Sequence, residues 1–199
     1  MPKPALDLRG ARVLLRPWHW SDLAPLAALN ADPLVMEHCP ALLTRAQSDA
    51  LVCRLEAHFA AHGFGHWAVE VPGVARFVGL VGLFVLPFQA SFTPAVEIGW
   101  HLAREHWGKG YAVEAASVAL RAAFGPLGMR EIVALSVPGN VRSRRVMDRL
   151  GMSQAAVFEH PLLPEGHRLR RHALHRLTRE EWRARTCARA ELRCSSEAI

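Results

Sequence analysis

Residues 97–116 have the sequence EIGWHLAREHWGKGYAVEAA. Apolar side chains at every second position of residues 96–102 predict a strand with one buried face, which leaves Glu97 and His101 on the other face. After a polar turn, the alanine-rich residues 111–124 are typical of a helix packed on a sheet. We therefore predict a unit of strand, glycine turn and helix.

Two glycines, Gly108 and Gly110, flank Lys109 in the predicted turn. Glycines let backbone N–H groups approach a ligand closely, and the helix N-terminus adds unsatisfied donors and about half a positive charge. A phosphate or pyrophosphate suits such a turn, although glycines in this place also occur as ordinary turn residues. The Walker A and dinucleotide patterns both fail, because Ala103 and Val113 stand where they require glycine. We therefore expect neither of the common nucleotide folds.

Several further motifs make the chain similar to a known family. It contains Asn140-Val-Arg-Ser and Arg149-Leu-Gly-Met, and it begins with Arg12-Val-Leu-Leu-Arg-Pro and then Ser21-Asp-Leu. With these motifs, the chain resembles the GNAT superfamily of acetyl-CoA-dependent N-acetyltransferases, and within it the ribosomal-protein alanine N-acetyltransferase branch. The resemblance implies an α/β (α+β) GNAT fold: a mixed, mostly antiparallel sheet of about seven strands with helices on both faces.

The resemblance also implies a binding site for acetyl-CoA as co-substrate, with no metal. The family pattern Gln/Arg-x-x-Gly-x-Gly/Ala falls on Trp107-Gly-Lys-Gly-Tyr-Ala, so that Trp107 replaces the usual Gln or Arg. The expected cofactor-binding residues are Ile98, Gly99, Trp100, Trp107, Gly108, Lys109, Gly110, Tyr111, Ala112, Asn140, Ser143 and Arg145.

Amine acetylation needs a neutral amine, and a carboxylate or an imidazole near it can take up the proton. Glu97 is the first candidate, because it is a carboxylate on an otherwise apolar strand and the family often places a glutamate in this region. It could equally orient the substrate ammonium or satisfy the backbone. His101, on the same face, is the second candidate. In this family a strand irregularity near Gly99 frees a backbone N–H for the thioester carbonyl, so that Gly99 and Trp100 are expected at that position.

Protonation of the departing thiolate has no obvious donor in this chain. The family commonly uses a tyrosine of the helix after the asparagine motif, but the only tyrosine here is Tyr111, in the glycine turn. Ser143, one helical turn after Asn140, could reach the sulfur or hold the pantetheine, and as a helix-start hydroxyl it has an equally good structural role. One arginine of the basic helix face within residues 142–149 is a candidate phosphate contact.

The sequence does not identify the amine that accepts the acetyl group. A protein N-terminus is one possibility, and a small amine such as an aminoglycoside, a polyamine or an amino-acid-like compound is the other. A non-catalytic acyl-CoA-binding or RNA-associated module is the alternative from a different class. The resemblance places the loop of residues 31–43 near the acceptor.

Composition narrows the classes of function. A chain of 199 residues with 51% hydrophobic content is sufficient for one domain, expected over residues 1–178, followed by a tail over 179–199 that is helical to about residue 192 and then frayed. The longest apolar run, residues 77–88, is too short for a membrane span and the N-terminus lacks a signal-peptide apolar region. The four cysteines show no paired spacing. We expect a cytoplasmic protein with reduced thiols, no metal and no membrane partner.

The net charge of +6 is consistent with nucleic-acid binding, but the excess of arginine is concentrated in residues 142–149 and 168–193. The phosphates of coenzyme A account for part of this excess positive charge, so we do not expect a nucleic-acid partner. We expect a monomer or a homodimer.

Periodicity and turn residues predict the remaining secondary structure. Further strands are predicted at 12–16, 64–71, 76–86, 131–137, 152–159 and 169–177, and helices at 21–29 (capped by Ser21), 44–62 (capped by Thr44) and 140–150.

Overall fold

The structure is a computed structural model that describes residues 7–196, with side chains described over residues 7–188. The strands are β1 (Leu8–Arg9), β2 (Leu14–Arg16), β3 (His66–Val71), β4 (Ala75–Val85), β5 (Val96–Leu102), β6 (Glu131–Ser136), β7 (Ser153–Glu159) and β8 (Arg171–Thr178). The α-helices are α1 (Leu23–Ala31), α2 (Arg45–His62), α3 (Tyr111–Phe124), α4 (Val141–Leu150) and α5 (Arg179–Ser196). No helix of this described part is long and apolar enough to cross a membrane.

The strands form one sheet in the order β1-β2-β3-β4-β5-β6-β8-β7. Every neighbouring pair is antiparallel except β5 and β6, which are parallel and are connected through α3. The predicted mixed, mostly antiparallel sheet is confirmed. Its eighth strand is β1, a two-residue strand paired with β2, which is too short to produce a periodic signal in the sequence.

Parallel pairing between β5 and β6 is limited to one point, where Glu97 lies opposite Val133. Beyond that point the two strands separate. The backbone groups that face the resulting gap therefore lose the partners that a continued ladder would supply, which matters for the site described below.

Helices cover both faces of the sheet, as predicted. On one face, α3 packs on a large core that includes Leu15, Val81, Ile98, Leu120 and Ile132, all of them 1% exposed or less. The other face is covered by α1 and α2 through Leu26, Val52, Leu55 and Leu80. Burying each of these side chains stabilises the fold by about 1.5–3 kcal/mol.

Two helix ends show how well local signals predict the structure. Thr44 caps α2 as predicted: its hydroxyl accepts from the N–H of Gln47, whose side chain accepts from the N–H of Thr44. That helix ends at Gly63, which has φ +75°. The predicted cap at Ser21 is wrong. A 3₁₀ turn capped by His19 precedes α1, because the carboxylate of Asp22 accepts from the N–H of His19 and is also held by an arginine of β2.

The C-terminal helix α5 extends to Ser196. Its Trp182 packs against Phe124 of α3, with ring centroids 6.0 Å apart. Residues 197–199, which belong to the segment expected to fray, lie outside the described residues. The contact of Trp182 places the beginning of the predicted tail against the domain core.

Candidate active site

A cavity of about 560 Å³ opens where β5 and β6 separate. Its walls come from β5, the glycine turn with the start of α3, the end of β6, one face of α4, and the loop between α1 and α2. All of the predicted site residues line it except Lys109. The side chain of Lys109 is exposed, and its carbonyl accepts a hydrogen bond of 3.1 Å from Arg12.

The glycine turn closes one end of the cavity. Gly108 and Gly110 have φ +74° and +82°, a left-handed conformation that strongly favours glycine. Gly110 is the N-cap of α3, so the unsatisfied N–H groups of this 14-residue helix begin at the cavity wall. Trp107 is fixed before the turn by a 2.7 Å hydrogen bond from Nε1 to the carbonyl of Leu102. The arrangement presents backbone donors and a positive helix end to an anionic ligand.

The register of β5 decides which of its N–H groups faces the gap. Ala103 donates to Val78 of the β4 side at 2.9 Å, and Leu86 donates to Ala95 at 3.0 Å, with an unbroken register between these two bonds. Because antiparallel bonding alternates, the odd-numbered residues of β5 bond to β4 and the even-numbered ones point toward β6. The N–H of Gly99 is thus used within the sheet, whereas that of Trp100 faces the gap.

This geometry corrects one expectation. The pairing of β5 with β4 contains no register shift near Gly99. A donor becomes available at Trp100 instead because β6 turns away from β5 after Glu97. Separation of β5 from β6, and not a strand irregularity, therefore leaves a backbone N–H facing the gap.

Glu97 lies on the α1/α2 face of β5, at the point of separation. Its Oε1 accepts a hydrogen bond of 3.3 Å from the N–H of Leu135. In the described part of the chain, no donor reaches Oε2. Burial raises the pKa of Glu97 to about 7, and the weaker effect of the Leu135 hydrogen bond opposes this shift. The carboxyl group is therefore able to exchange a proton near neutral pH.

Two histidines lie on the same face of β5. His101 contacts the Sγ of Cys39 through Nε2 at 3.4 Å, and burial lowers the pKa of His101. The ring of His66 lies over Gly99, where an added Cβ would be 3.1 Å from Nε2. Burial, together with the charges of neighbouring histidines, lowers the pKa of His66 to about 3. Both imidazoles are neutral at pH 7, so neither places a positive charge beside Glu97 on this face of β5.

The start of α4 forms the wall opposite β5. Asn140 caps this helix by accepting from the N–H of Ser143 at 3.0 Å, which is a structural role for the asparagine. Ser143 and Arg145 line the cavity. Arg142 also lines it, and its guanidinium stacks over the ring of Trp107 at 4.5 Å. A guanidinium from α4 therefore lies against the side chain that replaces the usual Gln or Arg at position 107.

Sequence reasoning missed part of the site. Cys39, which the sequence predicts only to be a reduced thiol, lines the cavity, as does His172 of β8. Arg149, one of the arginines predicted as candidate phosphate contacts, lines it as well. His38, expected near the acceptor, also lines it, whereas Trp67 is buried in the core. The lining residues come from three separate elements, namely the loop between α1 and α2, α4 and β8, so no local spacing connects them. Among the described residues, no group of three or more His, Cys, Asp or Glu side chains is placed to hold a metal ion.

Comparison with known proteins agrees with this architecture. A family model described as an acetyltransferase (GNAT) domain matches residues 12–153. The uncharacterized protein YkkB of Bacillus subtilis (strain 168) is 34% identical over 142 residues, which are 71% of this chain and 81% of that protein. A GNAT-family acetyltransferase from Bacillus anthracis has a similar structure (TM-score 0.74, 24% identity), covering 88% of this chain and 100% of that chain. Mycobacterium smegmatis RimJ, solved in complex with CoA-disulfide, has a TM-score of 0.69 at 24% identity and covers 90% of this chain and 89% of its own.

Proposed function

The chain belongs to the GNAT family of acetyltransferases, and we propose that it moves an acetyl group from acetyl-CoA directly to a primary amine, without a covalent enzyme intermediate. One observation carries the proposal. Glu97, with its pKa raised to about 7, and the N–H of Trp100, which faces the gap, both lie where β5 and β6 separate. A proton acceptor and an oxyanion donor are thus held close to one place where a thioester can lie.

The cofactor would lie along the gap, with its pyrophosphate on the glycine turn. The left-handed Gly108 and Gly110, and the start of α3, supply backbone donors for the phosphates. Arg145 on α4 is the proposed contact for a further phosphate. The fold shared with RimJ, a protein solved with CoA-disulfide, supports a coenzyme A thioester as the ligand.

The chemical step would use groups already placed at the gap. As the amine attacks the thioester carbonyl, negative charge develops on its oxygen, and the N–H of Trp100 would stabilise it. Glu97 would take the proton of the amine. Tyr111 lines the cavity at the glycine turn, where the pyrophosphate would lie, so Ser143 of α4, which also lines the cavity, is the proposed donor to the departing thiolate.

The charges of the cavity favour one class of acceptor. Among the described lining residues, Glu97 is the only carboxylate, while Arg142, Arg145 and Arg149 contribute three cations. A second buried ammonium group would lack a partner, at a cost of several kcal/mol. We therefore favour an acceptor with a single positive charge, such as a protein N-terminus or an amino-acid-like amine, over a polyamine or an aminoglycoside.

Calorimetric titration of acetyl-CoA tests the cofactor site. Gly110→Glu introduces a side chain in a left-handed position and a negative charge beside the phosphates, so binding should be lost. Gly128→Glu is the matched control, because Gly128 has φ +68°, has open space around its Cβ position and follows the C-terminal end of α3, whereas Gly110 is at the start of that 14-residue helix. If both variants bind acetyl-CoA as the wild type does, the proposed pyrophosphate site is wrong.

An acceptor panel tests the reaction and the acceptor class. Release of CoA should be fastest with a short peptide that has a free N-terminus, absent with the same peptide blocked by acetylation, and slow with spermidine or an aminoglycoside. Glu97→Gln should abolish most of the turnover and leave acetyl-CoA binding intact. Faster turnover of the polycations would overturn the proposed acceptor class. Binding without turnover of any amine would favour a non-catalytic acyl-CoA-binding module instead.

A further inference from the structure

The loop between α1 and α2, residues 32–43, lines the cavity on the face of β5 that carries Glu97 and His101, where its Cys39 contacts His101 at 3.4 Å. We call it the acceptor segment. It contributes Val35, His38 and Cys39 to the cavity lining. Its base is held by a backbone hydrogen bond of 3.0 Å from Leu43 to Asn30. The position of its tip therefore depends on contacts with other parts of the chain.

One arginine of α4 reaches the tip of this segment. Nη2 of Arg142 lies 2.7 Å from Oε2 of Glu37 and also donates to the carbonyl of Leu34 at 3.4 Å. The guanidinium plane rests on the ring of Trp107, whose Nε1 is bonded to β5. Stacking fixes the plane of the guanidinium and leaves its edge free for these two acceptors. Arg142 thus connects the acceptor segment to Trp107, which precedes the glycine turn.

Two other cations make weaker attachments to the same segment. Arg168 donates to the carbonyl of Glu37 at 3.2 Å, and Arg104 lies 3.6 Å from the carboxylate of Asp32. In the described part of the chain, neither of these arginines stacks on an aromatic ring as Arg142 stacks on Trp107. Both partners of the Arg142–Glu37 pair are half-exposed, at 50% and 49%. Such a pair biases the segment toward its closed position and still lets it open.

We propose that Arg142 is a positioning residue, which holds the acceptor segment over the acceptor end of the cavity by pairing with Glu37 from the Trp107 ring. This inference rests on the proposed function, since it assigns the amine to that end. It accounts for the tryptophan at the position where the family pattern has Gln or Arg: the ring serves as a platform for a guanidinium that comes from another helix.

The thiol of Cys39 offers a readout that does not need turnover. In a background where Cys53, Cys187 and Cys194 are replaced by serine, N-ethylmaleimide labels Cys39 at a rate that reports opening of the segment. Glu37→Gln and Arg142→Gln should each increase this rate by about two- to fivefold, the size expected for a half-exposed ion pair. The double variant should be no faster than the faster single variant, because either change breaks the same contact.

Because Glu37 and Arg142 carry opposite charges, the two variants distinguish opening of the segment from a change in the ionisation of the Cys39 thiol. Removing the charge of Glu37 would make the thiol ionise more readily, whereas removing that of Arg142 would make it ionise less readily. A purely electrostatic effect therefore moves the two rates in opposite directions and would overturn the proposal, as would two unchanged rates. Arg144→Gln, the same change on an exposed α4 residue outside the cavity lining, should label at the parent rate.

Steady-state kinetics provide a second test of the role of Arg142. With the best acceptor of the panel, Glu37→Gln should raise the KM for the acceptor by about two- to fivefold, with kcat and the KM for acetyl-CoA little changed. Arg142→Lys keeps the charge but loses the fork and most of the stacking, so it should lie between the wild type and Arg142→Gln. An effect of Glu37→Gln confined to the KM for acetyl-CoA would overturn the proposal. An enzyme inactive toward every amine would argue against the proposed function, and the labelling rates would still decide the role of Arg142.

Discussion

The backbone N–H of Leu135 donates to Oε1 of Glu97 at 3.3 Å, across the gap where β5 and β6 separate. Had the parallel ladder continued, this N–H would bond a carbonyl of β5. The carboxylate takes the place of that lost partner. Because the same change of direction leaves the N–H of Trp100 facing the gap, one separation of two strands places both the Glu97 carboxylate and the donor at the gap.

The activity of the enzyme should depend on the protonation of Glu97. Only the ionised carboxylate can accept a proton, and the pKa of Glu97 is raised to about 7 by burial, so kcat should rise as the pH increases through about 7. Glu97→Gln should lower kcat by roughly 10²–10⁴-fold and remove this inflection. The measurement is a kcat profile between about pH 5.5 and 9 with the best acceptor. An inflection of the same size in the variant would assign it to another group.

The same pKa makes a prediction about stability. In the unfolded chain Glu97 ionises near its ordinary pKa of 4.5, while in the folded protein it holds its proton to about pH 7. The folded state thus binds more protons between these values, and its stability falls as the pH rises through them. Glu97→Gln should remove this loss, so that relative to wild type the variant gains up to about 3 kcal/mol between pH 4 and pH 8. Urea unfolding at both pH values measures it; a constant difference would contradict the raised pKa.

Gly99 should tolerate a side chain only if His66 moves. A Cβ at Gly99 would be 3.1 Å from Nε2 of His66, closer than an ordinary contact. Gly99→Ala should therefore reduce the free energy of unfolding by about 1–3 kcal/mol, the usual effect of overpacking. In a His66→Ala background the same change should cost clearly less, because its obstacle is gone. A double-mutant cycle by urea unfolding measures the coupling, and additive effects would rule out this steric relationship.

Arg16 should contribute more to stability than other arginines in ion pairs. It donates to both carboxylate oxygens of Asp22, at 2.7 and 2.9 Å, and to Glu70 at 2.9 Å, while Asp22 is only 1% exposed. Arg16→Met leaves a buried carboxylate without its partner and should destabilise the fold by about 3–5 kcal/mol.

The control for this change is Arg45→Met, which breaks an exposed pair with Asp49 on α2 at 2.9 Å. Because that pair is solvated, its loss should cost only about 0.3–0.5 kcal/mol. Equal losses in thermal or urea unfolding would show that burial of Asp22 does not matter.

Local elements of this fold are predictable because their causes are local. The alternation of residues 96–102, the glycines that start α3, the capping box at Thr44 and the left-handed Gly63 act within a few residues, and the structure has each element where the sequence predicts it. The error at Ser21 has a local and a nonlocal cause: His19 forms a capping box with Asp22, and the carboxylate of Asp22 is also held by Arg16, which lies on a different element.

The sequence by itself determined the strand, glycine turn and helix, the position of Glu97 on the polar face of β5, and the family. Tertiary structure alone decided which N–H faces the gap, the pKa of Glu97, and the meeting of Arg142 with Trp107 and Glu37. The reason is physical. Propensity and periodicity act over one or two turns of chain, whereas burial, strand register and ion pairing depend on segments brought together only when the sheet and its helices have packed.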